Sequence, residues 1–441
     1  MATSIIGSVH RLFELAVFDV RKRGGREMSE LKAKGIKVFE ASKILRLAST
    51  HSKNAALKAI ANAIEDNRKN ILKANAEDVS NARSKGIRES LIDRLSLNAA
   101  RIDAMIKACD DVALLSDPVG EVDKTWIQKD GLRISRERVP LGAIGIIYES
   151  RPNVTVDASI LAFKSGNSVL LKGGSDAINS NKAIVAAIKS GLSIAGFPED
   201  CVELVEDTSR ETVSEMLKMR DYLSLIIPRG GAGLIKFVVE NSTVPVIETG
   251  TGNCHIYVDH SADFAKSIDI IVNAKTQRPG TCNAVETVLV HEKIAGAFIP
   301  QLQSVLSKMR VELRGCERSR RFAQMLPVTE EDFYTEFLDL IMAVKVVKDV
   351  HEAVEHIERY SSHHSEAILT EDYSNARYFL NAIDSAVVYV NASTRFTDGG
   401  EFGFGSEIGI STQKLHARGP FGLRELTSYK YTVLGDYQVR E

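Results

Sequence analysis

From about residue 141 onward, short β-rich apolar runs alternate with helical stretches, and this rhythm leaves few architectures open to the chain. The runs fall at 141–148, 168–171, 201–205 and 223–227, and a second set follows at 246–248, 255–258, 285–291 and 386–390. Helical patterns near 262–274 and 294–309 separate members of the second set. Strands that recur with a helix between them predict parallel pairing through crossover connections, hence open α/β sheets; two sets predict two α/β domains. The N-terminal third reads differently. Between Lys53 and Val79 the apolar residues Leu57, Ile60, Ile64, Ile71 and Leu72 recur mostly at helical spacing, which predicts an amphipathic helix there and a mainly helical third. Asp130-Gly131, set between Trp126-Ile127 and Leu132-Arg133-Ile134, is a strong hairpin signal and predicts a projecting two-stranded arm.

Composition narrows the function. Lysine plus arginine (56) nearly balances aspartate plus glutamate (58), so a net charge of -2 gives no footprint for nucleic acid or an anionic membrane, and small molecules are the expected partners. The longest apolar run, 139–148, stops at Glu149, short of the ~20 residues a membrane-spanning helix needs. Cys109, Cys201, Cys254, Cys282 and Cys316 are odd in number and widely spaced, with no C-x-x-C pair. That pattern indicates neither a disulfide framework nor a zinc site, and fits a reducing compartment such as the cytoplasm. The first 27 residues carry Arg11, Arg21, Lys22, Arg23 and Arg26, but also Glu14, Asp19 and Glu27, which argues against a transit peptide. Arg23-Gly24-Gly25-Arg26-Glu27 can be encoded wholly in purines, as a ribosome-binding site is, directly before Met28. Residues 1–27 are therefore expected to be a translated leader.

Several segments can carry chemistry. Cys282 lies in the Pro/Gly loop Gln277-Arg278-Pro279-Gly280-Thr281-Cys282-Asn283, where a thiol is partly exposed and its thiolate can be stabilised by backbone N–H groups. Cys109 and Cys201 sit in apolar periodic segments and read as core. Cys254-His255 is not a nucleophile–base pair, because adjacent strand residues point to opposite faces. Two strand ends run into glycines ahead of helices: Leu171-Lys172-Gly173-Gly174-Ser175, with a helix starting near Ser180, and Ile227-Pro228-Arg229-Gly230-Gly231. Such turns let a backbone approach a phosphate, and the helix N–H groups attract anions. Neither is a full dinucleotide fingerprint; a ligand-free βα turn explains each alone. In the loop 391–400, Arg395 and Asp398 place opposite charges three residues apart, as an amino acid's carboxylate and ammonium require, although composition alone describes a solvated loop.

Taken together, Tyr148-Glu149-Ser150-Arg151-Pro152-Asn153, Leu171-Lys172-Gly173-Gly174, Ile227-Pro228-Arg229-Gly230-Gly231, Glu248-Thr249-Gly250-Thr251-Gly252-Asn253-Cys254-His255, residues 391–400 and His416-Ala417-Arg418-Gly419-Pro420 resemble the γ-glutamyl phosphate reductase family. The likeness runs in order from about Met28 to near the C-terminus. This family belongs to the aldehyde dehydrogenase superfamily, so the resemblance implies an α/β fold of two open α/β domains plus a small β oligomerisation arm. It implies a cofactor-binding domain over 28–252 carrying the arm at 122–138, a catalytic domain over 253–415, and a C-terminal segment, 416–441, returning to the arm. By resemblance Cys282 is the nucleophile, forming a γ-glutamyl thioester that NADPH reduces to glutamate 5-semialdehyde in proline biosynthesis. Asn153 and the backbone N–H of Cys282 are implied as oxyanion donors. Lys172, with Gly173 and Ser175, is implied at the cofactor's ribose, and Arg229, Gly230 and Gly231 at its pyrophosphate. Arg395 is assigned to the substrate carboxylate and Asp398 to its ammonium. Glu248 falls near the general base of oxidising relatives, a role a reductase does not need. A homo-oligomer, dimer or dimer of dimers, and association with the kinase that makes the labile acyl phosphate complete the expectations.

Overall fold

The computed structural model of the protein describes residues 28–440, so the leader expected over 1–27 lies outside the described residues. Helices Glu30–Leu45, Thr50–Asp66, Arg68–Ser84, Glu89–Leu95 and Ala99–Leu114 make up the N-terminal quarter. The single helix expected across Lys53 to Val79 is two. Asn67 leaves helical geometry (φ -95°, ψ 7°) and its Nδ2 donates back to the Ala63 carbonyl at 2.9 Å, closing one helix as the next begins. Periodicity hides the break, since Leu57, Ile60, Ile64 and Ile71 on both sides enter one core.

Strands β1 (Val122–Ile127) and β2 (Arg133–Pro140) pair antiparallel, and β16 (Thr427–Leu434) pairs antiparallel along the full length of β2. Their turn uses Gly131 at φ +90°, a conformation an L side chain resists. A four-stranded parallel sheet follows, formed by β3 (Ala143–Tyr148), β4 (Ser168–Lys172), β5 (Val202–Leu204) and β6 (Leu225–Arg229) in the order β5-β4-β3-β6. The second sheet holds β7 (Cys254–Val258), β8 (Val285–His291), β9 (Glu312–Gly315), β10 (Leu326–Pro327), β11 (Ile341–Val347), β12 (Ser365–Leu369) and β13 (Val387–Val390). Its order is β10-β9-β11-β8-β7-β12-β13, and every pairing is parallel. A small pair, β14 (Gly409–Ser411) and β15 (Gly419–Phe421), is antiparallel. Helices cover the faces of both large sheets, which is why β3 and β8 are buried at every position and β3 reads as a continuous apolar run.

The run at 246–248 is not a strand: it makes one bridge, Val246 to Ile226, beside Pro245, which has no N–H to extend a ladder. Conversely β9, β11 and β12 were not expected. β12 carries Glu366 in a fully buried position, where the carboxylate accepts the His255 N–H at 2.8 Å, so its charge masks the strand pattern. Among the described residues no helix is long and apolar enough to cross a membrane.

In the first sheet β3 has β4 on one side and β6 on the other, so the chain reverses direction across the sheet at β3. The crevice beyond the carboxyl ends of these strands, at Tyr148, Lys172 and Arg229, is where open α/β sheets bind ligands.

Candidate active site

Cys282 precedes β8 in a tight turn: the Ala284 N–H donates to the Thr281 carbonyl at 3.0 Å, and Thr281 Oγ1 donates to the Arg278 carbonyl at 2.8 Å. Three neighbours fix its peptide. Cys254 Sγ donates to the Cys282 carbonyl at 3.2 Å. Asn283 Nδ2 donates to the Thr397 carbonyl at 2.9 Å, while Thr394 Oγ1 donates to the Asn283 carbonyl at 2.8 Å. Gly252 lies flat against the turn. A Cβ there would stand 2.5 Å from the Cys282 Cα and closer still to its carbonyl group, so only glycine fits. The Gly252 N–H in turn donates to Glu336 Oε1 at 2.8 Å.

The Cys282 thiol is half-buried, and its pKa is pushed up to about 11. Burial is the largest cause; Arg229 pulls the value down, and Glu336 and Glu407 push it up again. A backbone N–H also lowers the value, as the loop led one to expect, but burial outweighs it and the nearby cation together. The other thiols differ. Burial holds Cys109 and Cys201 near 12 and raises Cys254 well above the ordinary thiol range. Cys316 is half-buried beside Ser319, after β9 near the far edge of the sheet. Cys254 and His255 point to different partners as strand alternation requires, Cys254 towards His364 at 3.8 Å and His255 towards Glu366 at 3.3 Å.

Arg229 ends β6, and one of its guanidinium nitrogens lies 3.3 Å from where a Cβ on Gly409 would be. Its charge acts on Cys282, Asp157, Glu407, His364 and Arg151. Its charge therefore reaches the thiol from the end of the strand whose glycine turn the sequence assigns to the cofactor's pyrophosphate. Asn153 stands exposed in the first turn of the helix Pro152–Lys164 and donates to Asp157 Oδ2 at 3.1 Å. Burial pushes Asp157 up to about 6, against the Asn153 hydrogen bond and Arg229. Cys282 and Asp157, the partner of Asn153, therefore feel the same cation.

The two glycine turns meet around Glu149. Its carboxylate accepts the Gly231 N–H at 2.9 Å at the start of the helix Ala232–Asn241, and it lies 2.7 Å from where a Cβ on Gly230 would sit. Across from it, Gly174 comes within 3.6 Å of the Glu149 Cα by the same measure. Lys172 is 3% exposed, yet its ammonium has a single contact, the Gly173 carbonyl at 3.4 Å; burial lowers its pKa and Asp207 partly opposes this. Ser175 is exposed and opens a short turn ahead of the helix Ile178–Ile194. A buried ammonium with no salt bridge among the described residues, beside two turns stripped of Cβ atoms, fits a phosphorylated nucleotide.

Arg395 belongs to the same cluster as Cys282. Its Nε donates to Gln277 Oε1 at 2.9 Å and its Nη1 to Thr281 Oγ1 at 3.1 Å and to Asn283. Asp398 is exposed and accepts the Gly400 N–H at 2.9 Å. Glu407 accepts the Gly399 N–H at 2.8 Å and is pushed up to about 7 by burial, with Arg229 opposing and Asp398 reinforcing. Glu248 instead lines a cleft of about 310 Å³ with Ile235, Val239 and Thr412. The acids that act most strongly on the thiol are Glu336 and Glu407, and sequence reading found neither. No local pattern marks them, since each approaches from a segment remote in sequence. Gly252 was legible in part, through the paired glycines at 250 and 252 just before β7.

Known proteins share this sequence and fold. Residues 37–331 match the aldehyde dehydrogenase family. Gamma-glutamyl phosphate reductase of Thermotoga petrophila is 63% identical over 415 residues, covering 94% of this chain and 100% of that protein. The crystal structure of gamma-glutamyl phosphate reductase from Thermotoga maritima superposes with a TM-score of 0.92 at 62% identity, covering 94% of this chain and 100% of that one. The corresponding enzyme of Saccharomyces cerevisiae gives 0.53 at 29% identity, with 94% and 100% covered. The chain belongs to the aldehyde dehydrogenase family, and within it to the gamma-glutamyl phosphate reductases.

Proposed function

We propose that this protein reduces L-glutamyl 5-phosphate to L-glutamate 5-semialdehyde with release of phosphate, the reductive step of proline biosynthesis, using NADPH. The observation that carries the reading is the half-buried thiol of Cys282, held by Gly252 and Asn283 between a crevice suited to a nucleotide and a loop bearing Arg395 and Asp398. Cys282 attacks the acyl carbon and becomes a thioester, which splits one difficult transfer into two easier ones. Asn153 Nδ2 and the Cys282 N–H stabilise the oxyanion of each tetrahedral stage, a donor of this kind being worth ~10²-fold in rate. Arg395, pre-oriented by Gln277 and Thr281, takes the α-carboxylate, and Asp398 the ammonium.

The family uses nicotinamide cofactors; bound here, one supplies the hydride. Lys172 would hold its ribose and 2′-phosphate end alongside Gly173 and Ser175, and the Gly230-Gly231 turn its pyrophosphate, with the Glu149 carboxylate leaving the Gly231 N–H. Incubation of the purified protein with glutamate 5-semialdehyde, NADP and phosphate should produce reduced cofactor, and Cys282→Ser should abolish the signal. Turnover independent of phosphate, or equal turnover by the variant, would overturn the reading.

A homo-oligomer is built on the arm, where Ile127, Tyr431, Val433 and Leu434 stand exposed on the edge strands β1 and β16. Sedimentation of the purified protein as a monomer would refute it. Association with the glutamate kinase, in the cytoplasm, follows from the lability of acyl phosphates, and failure of the two to co-purify would count against it.

A further inference from the structure

Four guanidinium groups from four separate segments gather beside the loop that carries the thiol. Arg94, from the helix Glu89–Leu95, reaches within 3.4 Å of where a Cβ on Gly280 would stand, inside the cysteine loop. Arg151 leads into the helix Pro152–Lys164, Arg229 ends β6, and Arg278 is part of the cysteine loop itself. Each lies within the field of others. Arg151 is half-buried and drawn down to about 10, by burial first and then by repulsion from Arg229, Arg94 and Arg278, with Cys282 opposing. Arg278 also depresses Arg395 after burial has done so. Among the described residues the salt bridges and side-chain hydrogen bonds include none from these four groups, whereas Arg68, Arg138, Arg314 and Arg424 each meet a carboxylate. Like charges gathered without salt-bridge partners repel one another, and no acceptor among the described residues ties down their donor forks, those of Arg94 and Arg278 standing exposed. A guanidinium fork matches a phosphoryl group in geometry and charge.

We propose that Arg94, Arg151 and Arg278, with Arg229 as the inner wall, form the subsite for the phosphoryl group of the acyl phosphate, and for inorganic phosphate in the reverse direction. The inference rests on the function proposed above and names the part of the site that recognises the leaving group. Sγ forms its bond to the acyl carbon, and the bond from that carbon to the bridging oxygen breaks, its electron pair staying with that oxygen. The thiol proton departs with the phosphate as monohydrogen phosphate, so a neutral thiol and an acyl phosphate dianion balance a thioester and a dianionic product. The cations offset the dianion on both sides of the step. The cofactor's 2′-phosphate shares this chemistry, but the cluster lies beside the Cys282 loop, whereas the buried Lys172 stands at the end of β4.

The test uses the full-length enzyme and the rate at which iodoacetamide alkylates Cys282, a readout that needs no turnover. Inorganic phosphate should slow wild-type alkylation saturably, and 2′-AMP should do so far less. Arg94→Ala and Arg278→Ala should each raise the half-protecting phosphate concentration by about tenfold or more, with a parallel rise in KM for phosphate during semialdehyde oxidation. KM for NADP should change by less than about threefold. Arg278→Lys, which keeps the charge and loses the fork, should fall between, and unchanged melting temperatures exclude misfolding as the cause. No protection of wild type by phosphate, unaltered half-protection in both alanine variants, or a loss confined to NADP and 2′-AMP would each overturn the assignment. Phosphate-dependent turnover with unaltered half-protection would sink this subsite and leave the proposed function standing. Protection that the variants lose, without phosphate-dependent turnover in wild type, would uphold a phosphate site at these arginines and overturn its assignment to the acyl phosphate together with the function.

Discussion

Replacing Gly252 by alanine adds one methyl group at the most crowded point of the site. That methyl would stand 2.5 Å from the Cys282 Cα and nearer to its carbonyl, where ordinary contact is at least about 3.4 Å. Gly252 has no positive φ, so space alone is at issue. The obstructing atoms are backbone, and the hydrogen bonds from Cys254, Asn283 and Thr394 resist their retreat. The nucleophile's peptide must therefore move by about 1 Å or more, a displacement that commonly costs about 10²-fold in rate, and overpacking of this kind costs about 1–3 kcal/mol in stability. We expect Gly252→Ala to lower kcat for phosphate-dependent semialdehyde oxidation by about 10²-fold or more, while NADPH binding, followed by cofactor fluorescence, persists. Measuring the melting temperature alongside separates misplacement from unfolding. A folded variant within about threefold of wild type would show that the Cys282 peptide is not held as described.

Other perturbations test the same physics elsewhere. Iodoacetamide labelling of Cys282 in the free enzyme should accelerate with pH up to about 11, and Arg229→Gln should move that rise upward; a plateau below about pH 9 would contradict the burial argument. Gly191→Ala forces a methyl to within 2.6 Å of the Ile60 Cα and should destabilise by about 1–3 kcal/mol, whereas Gly296→Ala meets only Phe322 at 3.4 Å and should stabilise by about 0.5–1 kcal/mol, both read from urea unfolding. Burial alone would raise the Asp259 pKa, but hydrogen bonds from Asn375, Thr370, His260 and Tyr257 bring it to about 2. A depressed carboxylate stabilises the fold above its unfolded pKa of 3.8 and loses that contribution as pH falls towards 2. Asp259→Asn should therefore cost about 1–2 kcal/mol at pH 7, after allowance for solvent screening, and progressively less below pH ~4; an equal cost at both pH values would refute this.

What the sequence displays and what it conceals divide along a physical line. The parallel strand at 143–148, buried on both faces, stands out because no charge interrupts it, and 285–291 because its β-branched and apolar residues outweigh Glu286. Strand β12 escapes because Glu366 finds its partners, His255 and Ser361, only after the chain has folded. Likewise Asn67 ends a helix through its own side chain without disturbing the apolar period that spans the break. The site follows the same rule. Residues that act from a turn, Cys282 and the glycines before the helices, carry a local backbone signature, and Arg395 with Asp398 shows complementary charge. Glu336, Glu407 and Arg94 act across sequence separations of 54, 125 and 188 residues from Cys282, distances over which no spacing survives. The pKa of the thiol escapes for a further reason, because it is a balance between burial and three charges contributed by different segments. Loop composition reports how easily a thiol can be presented; it carries no record of how much solvent the assembled fold removes around the sulfur.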